Sequence, residues 1–415
     1  MKLPLHPFRA LLALATVAGG LVACVGNDGA RDGELVTGDA GAGDASAPSD
    51  ATVSGDSAVD GGYDVPRGCS LSGALVVTEA SAGALGDYAL GGGAESFRIV
   101  FSQGDDPPQL LTRELVGGPT LRPSVLLGSS VARPHPAIVS TGEAWLLAHE
   151  DVVEGARQIV AYPLAPSGEP LGDVTRADLS GGPGTGVDLA RAGDRIVAAY
   201  RLPEGVAVRS IDTNGRPTDE PILAASGAAL SVQIASSSTG SYVAWSRTNG
   251  SIEGRRLRVT TRTLEALHEL NAGDPAPTGA FALGFGGVSY GALTGLNDVD
   301  VRTTRFRRIA DNGDVAPEPQ LLPYAGGHYA AFSIARFAAG FAVAYRRAEF
   351  GRNQLRLALL SAGGDVLYDT FLRTLLSGEG DVVARQAADG RVAIAWDDTA
   401  PDGRLLRVAE VTCHF

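Results

Sequence analysis

Short apolar runs ending in an aromatic recur along most of this chain. Ile196-Val197-Ala198-Ala199-Tyr200, Ser241-Tyr242-Val243-Ala244-Trp245, Phe341-Ala342-Val343-Ala344-Tyr345 and Val392-Ala393-Ile394-Ala395-Trp396 share one form, in which Ala precedes the aromatic. Trp145-Leu146-Leu147-Ala148-His149 fits with His in the last place, and Phe97 to Phe101 and Gly286 to Tyr290 fit loosely. Such runs are too short and too β-branched for helices, and no helical periodicity outlasts a turn or two, so they predict strands. Glycine turns precede most of them, as at Ser140-Thr141-Gly142, Ser238-Thr239-Gly240 and Ala388-Asp389-Gly390. A third strand then leads to a second set of turns: Ser167-Gly168, Asn214-Gly215, Asn312-Gly313 and Gly363-Gly364. Asn-Gly between apolar runs signals a hairpin with both turn residues at positive φ.

The pentads end at 101, 149, 200, 245, 290, 345 and 396, so they are 45 to 55 residues apart. That period matches a four-stranded blade. The pattern predicts an all-β fold, a β-propeller of seven four-stranded blades over 67–415. Six or eight blades stay open, because the first and fifth repeats are degenerate. Alternate residues of a central strand pack between blades, so the pentad aromatics and His149 are expected in the core. The seventh repeat runs out after a third strand near 405–411, so Ala74 to Thr78 is expected to supply its fourth. Cys69 would then precede that strand and Cys413 end the third, which predicts a disulfide standing in for a hairpin turn.

Ahead of this domain the composition changes. Residues 25–66 hold nine acidic residues against Arg31 alone and almost no large apolar side chains. Such a segment cannot bury enough surface to offset ordering entropy, so 24–66 is expected to be a disordered tether, spanning about 35 Å as a flexible coil. Before it stand Lys2 and Arg9, an apolar run Ala10 to Ala18, and Gly19-Gly20-Leu21-Val22-Ala23-Cys24. The run is too short to span a bilayer, which needs roughly 20 residues. Its basic start and small-residue end describe a secretory signal. The last four residues resemble the bacterial lipobox, which implies cleavage of residues 1–23 and lipidation of Cys24. The lipid would attach the protein to a membrane of the cell envelope; Val25 stands where the enterobacterial sorting pattern has Asp for inner-membrane retention, so that resemblance implies the outer membrane.

Charge narrows the partners. The chain carries −13, the leader contributes +2, and the remaining −15 includes no lysine. Phosphate contact needs clustered basic residues, so nucleic acid is excluded as a partner. The sequence carries no His-Glu-x-x-His, no phosphate loop and no cysteine pair at zinc spacing. The Asp boxes of sialidase propellers are missing too, and the sequence implies no cofactor and no metal. What remains is a set of charges directly after the pentads: Glu150, Asp151, Arg201, Arg247, Arg346, Arg347, Asp397 and Asp398. Strand direction places them at one face of the disc, where the arginines could grip a carboxylate, although strand ends entering water are also simply polar. Two classes follow. One is a non-catalytic protein binding an envelope or extracellular protein or glycan. The other is a carbohydrate-active or other hydrolase working through Glu150, Asp151, Asp397 and Asp398.

Overall fold

The computed structural model describes residues 68–414, with short breaks at 79–82, 118–119, 130, 132, 172–175, 275–276, 299–300, 323–327, 350, 377–379 and 401–402. The leader, Cys24 and the 25–66 segment lie outside the described residues, as does Arg67. From Gly68 the chain forms seven separate antiparallel sheets, one per repeat. They are numbered here as blades 1 to 7 in chain order, with Leu85–Gly92 the first strand of blade 1. Each blade's first strand is innermost: Leu85–Gly92, Ala137–Ser140, Thr185–Ala192, Ser231–Ser236, Pro277–Phe285, His328–Phe337 and Val382–Gln386. The expected seven-bladed propeller is the fold.

The pentads lie in the second strands, and their unbroken apolar character has a simple cause. Both faces of a second strand are buried, each against a different neighbour. Ile196, Ala198 and Tyr200 pack into the seam with blade 2, while Val197 and Ala199 pack into the seam with blade 4. Apolar side chains gather in seven clusters, one at each seam, so the core is a ring of interfaces between blades. Tyr200, Trp245, Tyr345 and Trp396 are buried, as is His149. In the fifth repeat the expected register is four residues early. Gly286 to Val288 form the hairpin turn, and the second strand is Ser289–Asp298. Thr294, paired with Phe281 as Trp245 is with Val232, therefore holds the pentad's last place.

The outer hairpins correct the turn expectation. At Asp212 to Arg216 the Asp212 amide donates to the Arg216 carbonyl (2.9 Å), and the Gly215 amide closes a tighter loop on Asp212 (3.0 Å). The same pair of bonds recurs at 165–169, 310–314 and 361–365. This is a type I turn followed by a glycine bulge, in which only the glycine needs positive φ. Gly168, Gly215, Gly313 and Gly364 lie at 81° to 100°, whereas Asn214 and Asn312 do not have positive φ.

Ring closure follows the expectation with one change. Blade 7 takes its fourth strand from Gly68–Leu71 and Leu75–Val76, both paired with Gly403–His414. Cys69 sits inside that strand directly opposite Cys413, Cα atoms 4.0 Å apart, and the two are bonded. The disulfide is thus a rung of the ladder and does not replace a turn. The strand starts earlier than expected because Gly68 and Cys69 continue the pairing as far as His414.

Candidate functional site

The second strand of each blade runs antiparallel to the first. Its C-terminal end therefore meets the start of the inner strand, and both open on the same mouth of the central channel. A cavity of about 380 Å³ lies there, lined by all seven inner strands. Asp87, His135, Arg201 and Asp381 stand at its rim, with Asp188 and Arg385 on its wall. A second hollow of about 630 Å³ adjoins it between blades 1 and 7, sharing Asp87 and Asp381 and adding Asp105, Asp106, Arg133 and Arg404.

Most of the charges that follow the pentads turn inward and tie blades together. Glu150, fully buried, accepts the Gly186 amide at the entry to blade 3 (2.6 Å). It also meets Arg157 (3.2 Å) and lies 2.7 Å from His135 Nδ1. Arg201 donates to the Leu230 carbonyl at the entry to blade 4 (2.5 Å) and more weakly to Ala229 (3.3 Å). Arg346 of blade 6 donates to the Asp397 carbonyl of blade 7 (2.7 Å) and to that of Asp381 (3.4 Å). The Asp397 carboxylate receives Arg404 (2.6 and 2.8 Å), the Asp381 amide (2.5 Å) and the Tyr88 hydroxyl of blade 1 (3.2 Å). Asp398 accepts the Leu376 amide from the end of blade 6 (2.8 Å). The mechanism is shared: a buried charge can be held only by charge-assisted hydrogen bonds, and open donors and acceptors are offered by a neighbouring blade.

Arg346 and Asp397 are thus brought together, and Glu150 and Arg201 stand close enough to interact electrostatically. Arg247 goes elsewhere, to Glu253 (2.8 Å) and to the carbonyls of Ser226 and Gly227 (both 2.9 Å). Asp151 pairs with Arg176, and Arg347 is buried within blade 6. These three do not line the channel.

The inner strands carry a second set of ties. Asp188 accepts the Ile234 amide of blade 4 (2.9 Å), and Gln233 binds both Leu283 N (2.9 Å) and Phe281 O (3.0 Å) of blade 5. Ser333 accepts the Ala384 amide of blade 7 (3.0 Å). These are equivalent positions, and each meets the backbone one blade on.

Two residues at the mouth, His135 and Asp381, keep freer chemistry. His135 sits at φ 40°, its amide held by Asp87 (3.2 Å) and its Nε2 3.8 Å from the same carboxylate. The hydrogen bond to Glu150 holds its imidazole above the ordinary 6.5, against burial. Burial works against the Glu150 carboxylate, but His135, the Gly186 amide and Arg157 outweigh it and keep that carboxyl below 4.5. Asp381 opens onto the cavity. The enclosing wall raises its carboxyl, and the Asp397 and Asp87 carboxylates add to the shift. Asp87, His135, Asp188 and Asp381 stood outside the sequence-derived set. Their signal was present, a polar residue at the start of or within an otherwise apolar inner strand. Among the described residues no group of three metal-ligating side chains comes together.

Comparison with known proteins places the chain by fold. No family model and no curated protein matches it. A Dyadobacter fermentans protein of unknown function is similar in structure at 10% identity and TM-score 0.50, covering 84% of this chain and all of the other. The β-propeller domain of Cps50 (Swd1) from Myceliophteria thermophila is similar at 12% identity and TM-score 0.50, over 82% of this chain and all of that one. At such identities the likeness defines the class, a seven-bladed β-propeller, and nothing narrower.

Proposed function

We propose that this chain is a lipid-anchored protein of the bacterial envelope, held through Cys24, whose propeller binds a ligand or partner without catalysing a reaction on it. The site is the channel mouth at Asp87, His135, Arg201 and Asp381. One observation carries the preference for binding over hydrolysis. A general acid or base needs a carboxyl that can reach a substrate proton. Of the four carboxylates that the sequence offers for hydrolysis, Glu150, Asp397 and Asp398 are buried at 0 to 2% exposure with donors from neighbouring blades on them, and Asp151 is paired with Arg176. The propeller fold supports a binding or scaffold role, and the −15 charge and absence of lysine in the mature chain favour an uncharged or cationic partner over a polyanion.

The test compares wild type with Asp87→Asn/Asp381→Asn, which changes the open rim. A second variant, Glu150→Gln/Asp397→Asn, changes the occupied carboxylates. Each is assayed for retention of envelope components and for hydrolysis of a glycan panel. Retention lost in the rim variant, with no hydrolysis by wild type, supports the reading. Hydrolysis by wild type that either variant abolishes overturns it in favour of a propeller hydrolase.

A further inference from the structure

The outermost strand of blade 6 is unlike its counterparts. In the other blades the outer strands run for two to five residues, whereas Val366–Leu375 runs for ten. Two register shifts against its neighbour, beside Leu367 and Leu372, twist it without shortening it. Among the described residues no strand pairs with its outer edge. Among the described residues it also carries the largest run of exposed apolar side chains along the sequence, with Leu367 at 69% and Phe371 at 47%, flanked by Val366 and Leu376. Long, apolar, open edges are templates for strand addition, and proteins generally blunt them.

We infer that this edge is the interface of a homodimer, formed by antiparallel pairing of blade 6 with blade 6 of a second copy. The sequence of the edge is complementary to itself. Reversed about Asp369, Leu367 of one copy falls opposite Phe371 of the other, and Asp365 falls opposite Arg373, each twice by symmetry. Asp369 at the centre brings no repulsion, because its carboxylate turns inward to the Tyr345 hydroxyl (2.8 Å) and Arg356 (3.3 Å). Asp365 is exposed, and its hydrogen bonds to Ser361 and Gln320 leave carboxylate lone pairs open. An isologous two-fold contact requires this kind of self-complementarity, and opposed charges with paired apolar groups are what stabilise neighbouring strands. Joining the edges gives one continuous sheet through two four-stranded blades.

Sedimentation of the full chain in detergent tests the inference. Wild type is expected to show a reversible monomer–dimer equilibrium, and Leu367→Lys/Phe371→Lys to be monomeric. Asp365→Arg or Arg373→Asp alone sets like charges opposite each other twice, and should weaken dimerisation about tenfold. The two reversals together restore the opposition and should return the affinity close to wild type. That double variant carries both substitutions, so recovery separates loss of the interface from loss of fold. A wild type that stays monomeric at every concentration overturns the inference. So does a dimer indifferent to these substitutions, or single reversals that the double variant fails to rescue.

Discussion

His135 shows how much of this site is decided by single atoms. Its imidazole is held above 6.5 by Glu150, so the stability it adds is fully present below 6.5 and is lost as pH rises through the raised value. Glu150 is held below 4.5, so its share is present above 4.5 and is lost as pH falls through the lowered value. The contact is therefore strongest between the two, from 4.5 to 6.5. Wild type should melt above His135→Gln by a wider margin at about pH 5.5 than at about pH 8.5, and an equal margin at both would show that the pair does not titrate as a unit. Gly364 makes a different point. Its φ is +100°, and a Cβ there would lie 2.4 Å from the Phe306 ring of blade 5. Gly364→Ala should cost about 2–3 kcal/mol in chemical denaturation, since both backbone and seam resist it.

Elements are tied into the ring in ways that a blade considered alone would not require. Second strands end in charges that bind the next blade's entry, and inner strands reach across with Asp188, Gln233 and Ser333. The last seam is closed by Gly68–Leu71 and the Cys69–Cys413 bond, which joins residues 344 apart in sequence. Replacing both cysteines by Ser removes a constraint on nearly the whole unfolded domain and should cost about 2–4 kcal/mol. Urea titration of reduced-type and wild-type proteins measures it. A loss near zero would mean that strand pairing and the seam of blades 7 and 1 hold the ring by themselves.

At the scale of the whole molecule the proposal is a ring of blades on a lipid anchor. No helix among the described residues is long and apolar enough to cross a membrane. If Cys24 carries the tether, Cys24→Ser should move the protein wholly from the detergent phase to the aqueous phase in partitioning. Each acyl CH₂ buried contributes about 0.8 kcal/mol, and two or more chains give stable anchoring, so the change should be close to all-or-none. Full partitioning of the variant with detergent would assign the attachment to another part of the chain.

The chain's pattern alone determined the repeat, the strand class and the pairing of the two cysteines, and it favoured seven blades while leaving six or eight open. Each depends on local periodicity or on chain ends, which are written directly in the order of residues. Even the fifth repeat, displaced by four residues, kept its place in the count. Only the tertiary structure decided which charges face open space. Glu150 and Asp397 follow pentads as Arg247 does, yet the first two are buried by an adjoining blade and the third is not. Asp381 and Asp87 became neighbours because ring closure sets blade 7 beside blade 1. Strand order in sequence carries no distance between chain ends, so residues that meet across a closing seam are settled by the fold.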